Sequence, residues 1–398
     1  MSPARRAAWL TAGYYAAIFA VAGAQLPYWP VWLAEWGLTE AQIGRYLGLA
    51  ILARIVGATL LPALADRYAA RRLTTAGAAI AAAAIYPLHV GITSPGTLLA
   101  ATLAASFAMA PLVPLGEALG LRASGWHGFA YAPVRAAGSI AFLAVNVAAG
   151  SAIAEFGAAP VLWIVAAGLL AVAALGALHP GGGAAPSRDA DRAGWGEVRG
   201  LLAAPAFLAA AATMAAGHAS HSVYYIYSAL DWRAQGIGAA VIGSLWAFGV
   251  LVETALMLGP GRTWVARLGP AGALAIAALA GVLRWGAMAF APPLSLLWPL
   301  QALHALTFAI AHLGFMAFVA AAVPPRLAGS AQGIAVGAIS GLTMSGAAFG
   351  GAAIADRFGT SAAYFLSASL SAVSLGAAVA LARLSRPGSA LAEPTPPR

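Results

Sequence analysis

The amino-acid sequence predicts an all-α membrane protein whose twelve transmembrane helices form two related six-helix halves. Three observations carry this prediction: an apolar composition, apolar runs of spanning length, and a repeat at a separation of 199 residues. Hydrophobic residues make up 62% of the 398 positions, charged residues only 8%, and the mean hydropathy is +0.83. Because soluble domains carry about 25% charged residues, the composition excludes a soluble fold.

The apolar runs are each long enough to cross the ~30 Å hydrocarbon core of a bilayer as a helix. Patterns of alternating ten-residue strands are absent, so the sequence favours a helical bundle over a β-barrel. The predicted spans are 7–32, 42–64, 74–91, 97–120, 133–154, 159–178, 202–228, 240–260, 268–290, 295–321, 329–352 and 361–383.

The predicted organisation is an N-terminal half (1–178), a linker (179–200), a C-terminal half (201–384) and a tail (385–398). The linker is the long polar, Gly/Pro-rich stretch of the chain, a composition typical of a connection between domains. Arginines concentrate in the connections on one side, whereas only Arg233 and Arg357 fall in the connections on the other. This asymmetry predicts that both termini are cytoplasmic, in a multi-pass protein of a bacterial inner membrane.

The two halves resemble each other in sequence. Residues 33–44 (LAEWGLTEAQIG) correspond to residues 232–243 (WRAQGIGAAVIG), and the same offset of 199 places Arg54 opposite Glu253. A charge at the bilayer centre costs at least ~2.5–3.5 kcal/mol, so intramembrane ionisable residues are candidates for function. We expect Arg54 to bind a carboxylate and Glu253 to exchange a proton, the alternative being a permanent structural pair.

Histidines near the middle of predicted spans are further candidates, because imidazole titrates near neutral pH. His221 of the seventh span and His304 of the tenth are the preferred pair of candidates. His312 follows His304 on the same predicted helical face. The alternative is that these side chains form interhelical hydrogen bonds. A metal site is disfavoured because the chain has no cysteine, and no carboxylate lies near the histidines in sequence.

Aromatic and amide side chains could line a substrate cavity. Gln25 and Tyr28 lie in the first span, and Tyr224 and Tyr225 in the seventh. Aromatic rings suit an aromatic substrate, although tyrosines near span ends are also common interface anchors.

Other charges are expected to be structural or to act in gating. Glu117 and Arg135 should form an ion pair at the cytoplasmic ends of the fourth and fifth spans, as a fixed support or a gate. Arg284 lies near the outer end of the ninth span, where its side chain is expected to extend to the membrane surface.

The connection between the second and third spans, LADRYAARRL (64–73), resembles the loop signature of the major facilitator superfamily, which is matched by Asp66 and Arg67 and followed by the basic Arg71. Residues 19–44, 110–119, 131–142, 221–232, 281–286 and 303–312 are similar to the phenylpropionate permease family. The resemblance implies a major facilitator fold and secondary active, proton-coupled uptake of a small aromatic carboxylate by alternating access. It also implies no cofactor other than the proton.

Several alternatives remain open at the level of sequence. The same residue types would suit a proton-coupled sugar or nucleoside symporter, or a drug exporter of the same superfamily. An intramembrane hydrolase or metal enzyme would need clustered ligands or a nucleophile beside its base, and a non-transporting sensor is a third class. All 21 basic residues are arginine, so a Walker A lysine is absent. The scattered arginines predict no nucleic-acid partner, and we expect a monomer.

Overall fold

The computed structural model describes residues 1–182 and 194–385, and this part of the chain is helical without a β-strand. Residues 183–193 of the predicted linker and residues 386–398 of the predicted tail lie outside the described part. The first half contains α1 (Pro3–Trp36), α2 (Glu40–Arg67), α3 (Arg71–Leu88), α4 (Pro95–Met109), α5 (Leu112–His127), α6 (Tyr131–Phe156) and α7 (Pro160–Ala177).

The second half follows with more interruptions. It contains α8 (Trp195–Ala203), α9 (Pro205–Ser220), α10 (Ser222–Ala234), α11 (Ala239–Leu258), α12 (Gly261–Met288), α13 (Leu294–Ala302), α14 (Ala311–Ala322), α15 (Ala328–Gln332), α16 (Ser340–Phe358) and α17 (Thr360–Leu384). Two π-helical segments, Ala305–Ile310 and Gly333–Ile339, lie inside the tenth and eleventh spans.

The prediction of twelve spans is confirmed for the described residues. Eleven helical stretches are long and apolar enough to cross a membrane, and Trp195–Ala203 together with Pro205–Ala234, which meet at a bend of 78°, give the twelfth when this pair is counted as one span. The fourth span combines α4 and α5, the seventh α9 and α10, and the tenth Leu294–Ala322. The sequence did not predict that the seventh span would break at His221.

The connection after α1 shows why the first two helices end and begin where they do. Gly37 ends α1 in the left-handed region at φ 114°, a conformation that glycine adopts without a Cβ penalty. Thr39 then caps α2: its hydroxyl accepts from the Gln42 N–H, while the Gln42 side chain accepts from the Thr39 N–H. This capping box satisfies backbone donors at the start of the helix.

The chain packs as two compact units within the described ranges. Unit 1 comprises Met1–Ser187 and Tyr225–Leu251, and unit 2 comprises Arg188–Tyr224 and Val252–Arg398. Unit 1 therefore contains the six helical spans of the first half together with parts of α10 and α11. We call the ends of the helices at residues 37–39 and 235–238 the distal end, because the topology places them on the membrane face opposite the termini.

Small residues allow the helices of unit 1 to approach closely. A Cβ on Gly23 of α1 would lie 2.8 Å from the Phe142 carbonyl oxygen of α6, and one on Gly57 of α2 would lie 2.5 Å from the Phe107 carbonyl oxygen of α4. Such contacts replace the hydrophobic driving force that is missing between helices in lipid.

The first residues of the predicted linker pack against unit 1. His179 is buried, and its ring meets that of Tyr14 edge to face at 5.7 Å. Burial, aided by the charge of Arg72, lowers the pKa of His179 to about 4. His179 is therefore neutral at physiological pH and behaves as part of the core.

Candidate functional site: a buried polar cluster and its counterpart

The centre of the candidate site is Arg284 of α12, whose side chain is completely buried. One guanidinium nitrogen, Nη1, donates to His304 Nδ1 at 3.1 Å and to Thr307 Oγ1 at 3.2 Å. The other, Nη2, donates to Gln301 Oε1 at 3.0 Å. A buried charge is costly unless it is paired and hydrogen-bonded, and these bonds satisfy the two terminal nitrogens of the guanidinium, whereas its buried Nε makes no hydrogen bond to the described residues. The expectation that Arg284 extends to the membrane surface was therefore wrong.

The tenth span supplies three acceptors to this guanidinium through an irregular backbone. Gln301 ends the regular turns of α13, His304 follows, and Thr307 lies in the π-helical segment Ala305–Ile310. A π-turn changes the angular spacing along a helix, which brings groups at 301, 304 and 307 to one arginine, and such turns are frequent at functional sites.

Glu253 of α11 meets this network through His304. Its Oε2 atom lies 3.1 Å from His304 Nε2, and both side chains are largely buried, at 14% and 10% exposure. The guanidinium of Arg284, the imidazole of His304 and the carboxylate of Glu253 thus form a chain of contacts inside unit 2. The expected role of Glu253 in proton exchange stays a prediction.

The seventh span contributes at the point where it breaks. His221 separates α9 from α10, and its Nδ1 atom lies 2.9 Å from the Gly217 carbonyl, which fixes Nδ1 as a donor. Its Nε2 atom lies 3.1 Å from Thr307 Oγ1. The rings of His221 and His304, the preferred pair from the sequence, are 5.7 Å apart.

Tyr224 completes the cluster on the aromatic side. Its hydroxyl donates to Gln301 Oε1 at 3.0 Å, and its ring lies 4.8 Å from the Arg284 guanidinium carbon, within range of a cation–π interaction. The Nε2 of Gln301 is buried and makes no hydrogen bond to the described residues. Because its hydroxyl contacts Gln301 and its ring contacts Arg284, Tyr224 is a buried partner of the cluster.

Arg54 lies in a different environment in unit 1. Its side chain is exposed on α2, and nearby Gln25 of α1 contacts Tyr86 of α3. Gln25 also approaches Met109 Sδ at 3.7 Å. Within the part of the chain that the structure describes, no side chain forms an ion pair with Arg54. A guanidinium of this kind can bind an incoming carboxylate without first breaking a salt bridge.

Tyr28 and Tyr227, which occupy matched positions in the two halves, make matched contacts at the distal end. The Tyr28 hydroxyl lies 3.0 Å from the Ala239 carbonyl at the start of α11, and the Tyr227 hydroxyl lies 3.1 Å from the Glu40 carbonyl at the start of α2. Positions 40 and 239 are separated by the same 199 residues as the tyrosines. We call these two bonds the reciprocal tyrosine contacts.

Close backbone approach accompanies the reciprocal contacts. The Tyr28 hydroxyl also reaches the Asn146 carbonyl at 3.2 Å. A Cβ on Gly150 of α6 would lie 2.6 Å from the Ala239 carbonyl oxygen, and one on Gly243 of α11 would collide with the Asn146 carbonyl oxygen and the Tyr28 hydroxyl.

An ion pair lies at the same distal end. Arg233 donates to Glu35 Oε1 at 2.9 Å, and Glu35 Oε2 accepts from the Ala158 N–H at 2.8 Å. Neither Glu35 nor this pairing was predicted from the sequence. An exposed pair of this type contributes about 0–1 kcal/mol, so its value is chiefly to orient the helix ends.

The remaining candidates lie away from the buried cluster. Arg135 Nε lies 3.7 Å from Glu117 Oε1, so the expected pair is present, while its role as a gate stays a prediction. Asp66 near the end of α2 pairs with Arg71 at the start of α3, and Arg67, the last residue of α2, is exposed. The remaining two candidates are Tyr225, whose ring lies 5.9 Å from that of Trp246, and His312, which is exposed on α14.

The model of the MFS_1 like family matches residues 8–366. The chain belongs to this family. It is also 31% identical over 323 residues to a protein of Escherichia coli (strain K12) described as "Probable 3-phenylpropionic acid transporter", an alignment that covers 79% of this chain and 82% of the relative. The predicted resemblance to the major facilitator superfamily, close to the phenylpropionate permeases, is therefore confirmed.

Solved structures support the same fold. The nucleoside transporter NupG superposes with a TM-score of 0.77 at 17% identity, covering 95% of this chain and 98% of NupG, and a NupG variant reaches 0.82 at 16% identity, covering 96% and 100%. A bacterial homologue of the human lysosomal transporter Spinster gives 0.69 at 15% identity, with 96% of each chain covered. The protein is a multi-pass membrane transporter of a small molecule, and its relatives are transporters, not enzymes.

Proposed function

We propose that this transporter couples the uptake of a small aromatic carboxylate to the entry of protons. The observation that carries the proposal is the buried chain of contacts from Arg284 through His304 to Glu253, which places a carboxyl group inside the membrane domain. Intramembrane ionisable groups of this kind mark proton and substrate paths. The description of the relative from Escherichia coli supports an aromatic carboxylate as the substrate.

The two charged positions have separate roles in this proposal. Arg54, exposed and not ion-paired within the described residues, binds the substrate carboxylate through its planar fork. Glu253 takes up a proton with the substrate and releases it on the other side. The two six-helix halves expose these groups alternately to the two faces of the membrane, as in other transporters with parallel repeats.

We also propose the oligomeric state, the membrane and the orientation in which the protein works. The chain works as a monomer in a bacterial inner membrane, with both termini cytoplasmic and with the proton as its only cofactor. The absence of cysteine gives a direct test of the orientation. A membrane-impermeant maleimide applied to spheroplasts should label Thr93→Cys at the distal end and should leave Ser2→Cys unlabelled. Labelling of Ser2→Cys alone would reverse the proposed topology.

Uptake into proteoliposomes tests the transport reaction. Labelled 3-phenylpropionate should accumulate when the outside is acidic, and it should leave when a protonophore is added. A weak acid also crosses lipid by itself and is trapped in an alkaline lumen, so only the saturable uptake above that of liposomes carrying Glu253→Gln counts.

Two results would overturn the proposal. Saturable uptake of uridine or a sugar with no uptake of 3-phenylpropionate would assign a different substrate. Expulsion of the acid from the lumen against its gradient when the outside is acidified, in exchange for protons that enter, would assign export instead of uptake.

A further inference from the structure

The hydrogen bonds around His304 specify which of its nitrogens carries a proton. A guanidinium can only donate, so the 3.1 Å contact from Arg284 Nη1 requires a lone pair on His304 Nδ1. The single proton of the neutral ring must then lie on Nε2. From there it points to Glu253 Oε2 at 3.1 Å, where a carboxylate oxygen accepts it.

A charged His304 is incompatible with the same arrangement. Protonation of the ring would place an N–H on Nδ1, directly facing the N–H of Arg284. Two donors would then meet without an acceptor, and two positive charges would lie together in a poorly hydrated environment. Losing a buried hydrogen bond in this way is costly even before the charge repulsion is added.

Three further contacts keep the Arg284 guanidinium beside His304. Gln301 accepts from Nη2, Thr307 accepts from Nη1, and the ring of Tyr224 lies 4.8 Å from the guanidinium carbon. The Thr307 hydroxyl in turn lies 3.1 Å from Nε2 of His221.

The other groups that face His304 leave the assignment unchanged. The His221 ring lies 5.7 Å away at the α9–α10 break, and Phe308 stacks on His304 at 5.4 Å. His218 of α9 lies beyond Phe308, at 6.1 Å from its ring. None of these three supplies an acceptor to His304 Nδ1.

We propose that Arg284 is a positioning residue that holds His304 as the neutral Nε2–H tautomer, so that the coupling proton is carried by Glu253 and His304 stays uncharged. This inference rests on the proton coupling proposed above. On loading, one proton binds the Glu253 carboxylate and forms a carboxylic acid. The Nε2–H of His304 keeps its own proton and continues to donate to a carboxyl oxygen. Unloading restores the carboxylate.

Charge balance then explains why a carboxylate is the favoured cargo. With Glu253 ionised, its negative charge offsets the positive charge of Arg284 across a neutral imidazole. Proton loading cancels the charge of Glu253 and so adds one unit of positive charge to a region of low dielectric, where such a change is most costly. A substrate anion restores neutrality, so the proton and the carboxylate favour each other's binding.

Two spectroscopic measurements on the full chain in lipid nanodiscs test the assignment without any substrate. Infrared difference spectra between neutral and acidic pH should show the carbonyl band of a protonated carboxylic acid. This band should be lost in Glu253→Gln. It should persist in His304→Gln, because glutamine still donates to Glu253 but cannot titrate.

Nitrogen NMR of histidine-labelled protein provides the second measurement, with His304→Gln identifying the resonances. In the wild type, Nδ1 of His304 should remain unprotonated and Nε2 protonated throughout the pH range in which the carbonyl band appears. Arg284→Met removes the donor and should allow Nδ1 to become protonated. Arg262→Met, on the same helix and exposed, is the matched control and should leave His304 unchanged.

The outcomes separate this inference from the proposed function. A His304 ring with both nitrogens protonated while Glu253 is still ionised would overturn the inference, even if uptake proves to be proton-coupled. The wild-type spectrum decides this point alone, whether or not Arg284→Met folds. Conversely, the expected tautomer and carbonyl band in a protein that fails to accumulate 3-phenylpropionate would refute the proposed function and leave the assignment of the proton intact.

Discussion

The distal end of the molecule keeps the symmetry of its repeated sequence, whereas the membrane interior has lost it. At the distal end, Tyr28 and Tyr227 each bind the first carbonyl of a helix in the other half, at 3.0 and 3.1 Å. In the interior, the matched positions 54 and 253 hold opposite charges. Arg54 is exposed on α2, and Glu253 is largely buried beside His304.

This difference separates two kinds of constraint. Contacts that join the halves can be identical in both, because each half presents the same backbone to the other. Coupling two solutes requires groups that differ, since a carboxylate is bound by a permanent cation and a proton by a group that can lose it. We therefore expect substitutions in the asymmetric interior to have larger effects than substitutions at the symmetric distal end.

The largest effect is expected from Glu253→Gln. A gradient of one pH unit is worth ~1.4 kcal/mol per proton, or ~10-fold accumulation of a substrate carried with one proton. The amide cannot load a proton, so saturable accumulation should vanish while exchange of labelled for unlabelled substrate continues. Glu155→Gln, at the exposed end of α6, is the matched control. Unchanged accumulation in Glu253→Gln would exclude Glu253 as the proton carrier.

Arg54→Lys should weaken binding of the substrate without removing the charge. Loss of a bidentate, charge-assisted pair costs ~1.5–3 kcal/mol, which raises the dissociation constant ~10–100-fold. Arg54→Gln should weaken it further. Isothermal titration with 3-phenylpropionate measures the effect, and Arg45→Lys serves as control. Full affinity in Arg54→Lys would rule out a bidentate anchor at this position.

Gly243→Ala should destabilise the distal end. The added methyl group would collide with the Asn146 carbonyl and the Tyr28 hydroxyl, and forcing extra volume into a packed contact costs ~1–3 kcal/mol. Gly286→Ala, where a Cβ meets nothing within 4 Å, is the control. Thermal unfolding in detergent should show a lower midpoint for Gly243→Ala alone. Equal midpoints would mean that the close approach of α6 and α11 is not maintained in solution.

The smallest effects should come from Tyr28→Phe and Tyr227→Phe, and they should be alike. Each removes one hydrogen bond to a backbone carbonyl, worth ~1 kcal/mol, which corresponds to a shift of a few degrees or less in the unfolding midpoint. The same unfolding assay compares the two variants directly. A large shift in only one of them would show that the reciprocal tyrosine contacts are not energetically equivalent.

Much of the fold could be predicted from the sequence because lipid imposes strong rules. Apolar runs predicted the helical spans that the described residues show, while the division into halves at 178 and 201 and the orientation from the arginine bias stay predictions. The break at His221 and the π-turn at Ala305–Ile310 were not predicted. Neither contains a proline at the break itself, so local propensity carries no signal for them.

The candidate site was predicted only in part, because a local sequence pattern does not show which helices contact each other. Glu253, His221 and His304 could be selected because ionisable groups are rare in apolar runs. Arg284 was misjudged because its partners lie on another helix, and a single sequence does not show which helices meet. The reciprocal tyrosine contacts could have been found: positions 28 and 227, and 40 and 239, share one offset, and a two-fold relation brings the members of such pairs together.

The reciprocal tyrosine contacts have a consequence for the origin of the chain. A bond from residue i of one copy to residue j of the other, repeated with the copies exchanged, is the pattern of an isologous dimer interface. Two identical six-helix chains related by a two-fold axis could therefore form both bonds with one sequence. Joining the copies in one chain removes the requirement that position 54 equal position 253. Gene fusion thus allows the two matched positions to differ, as Arg54 and Glu253 do.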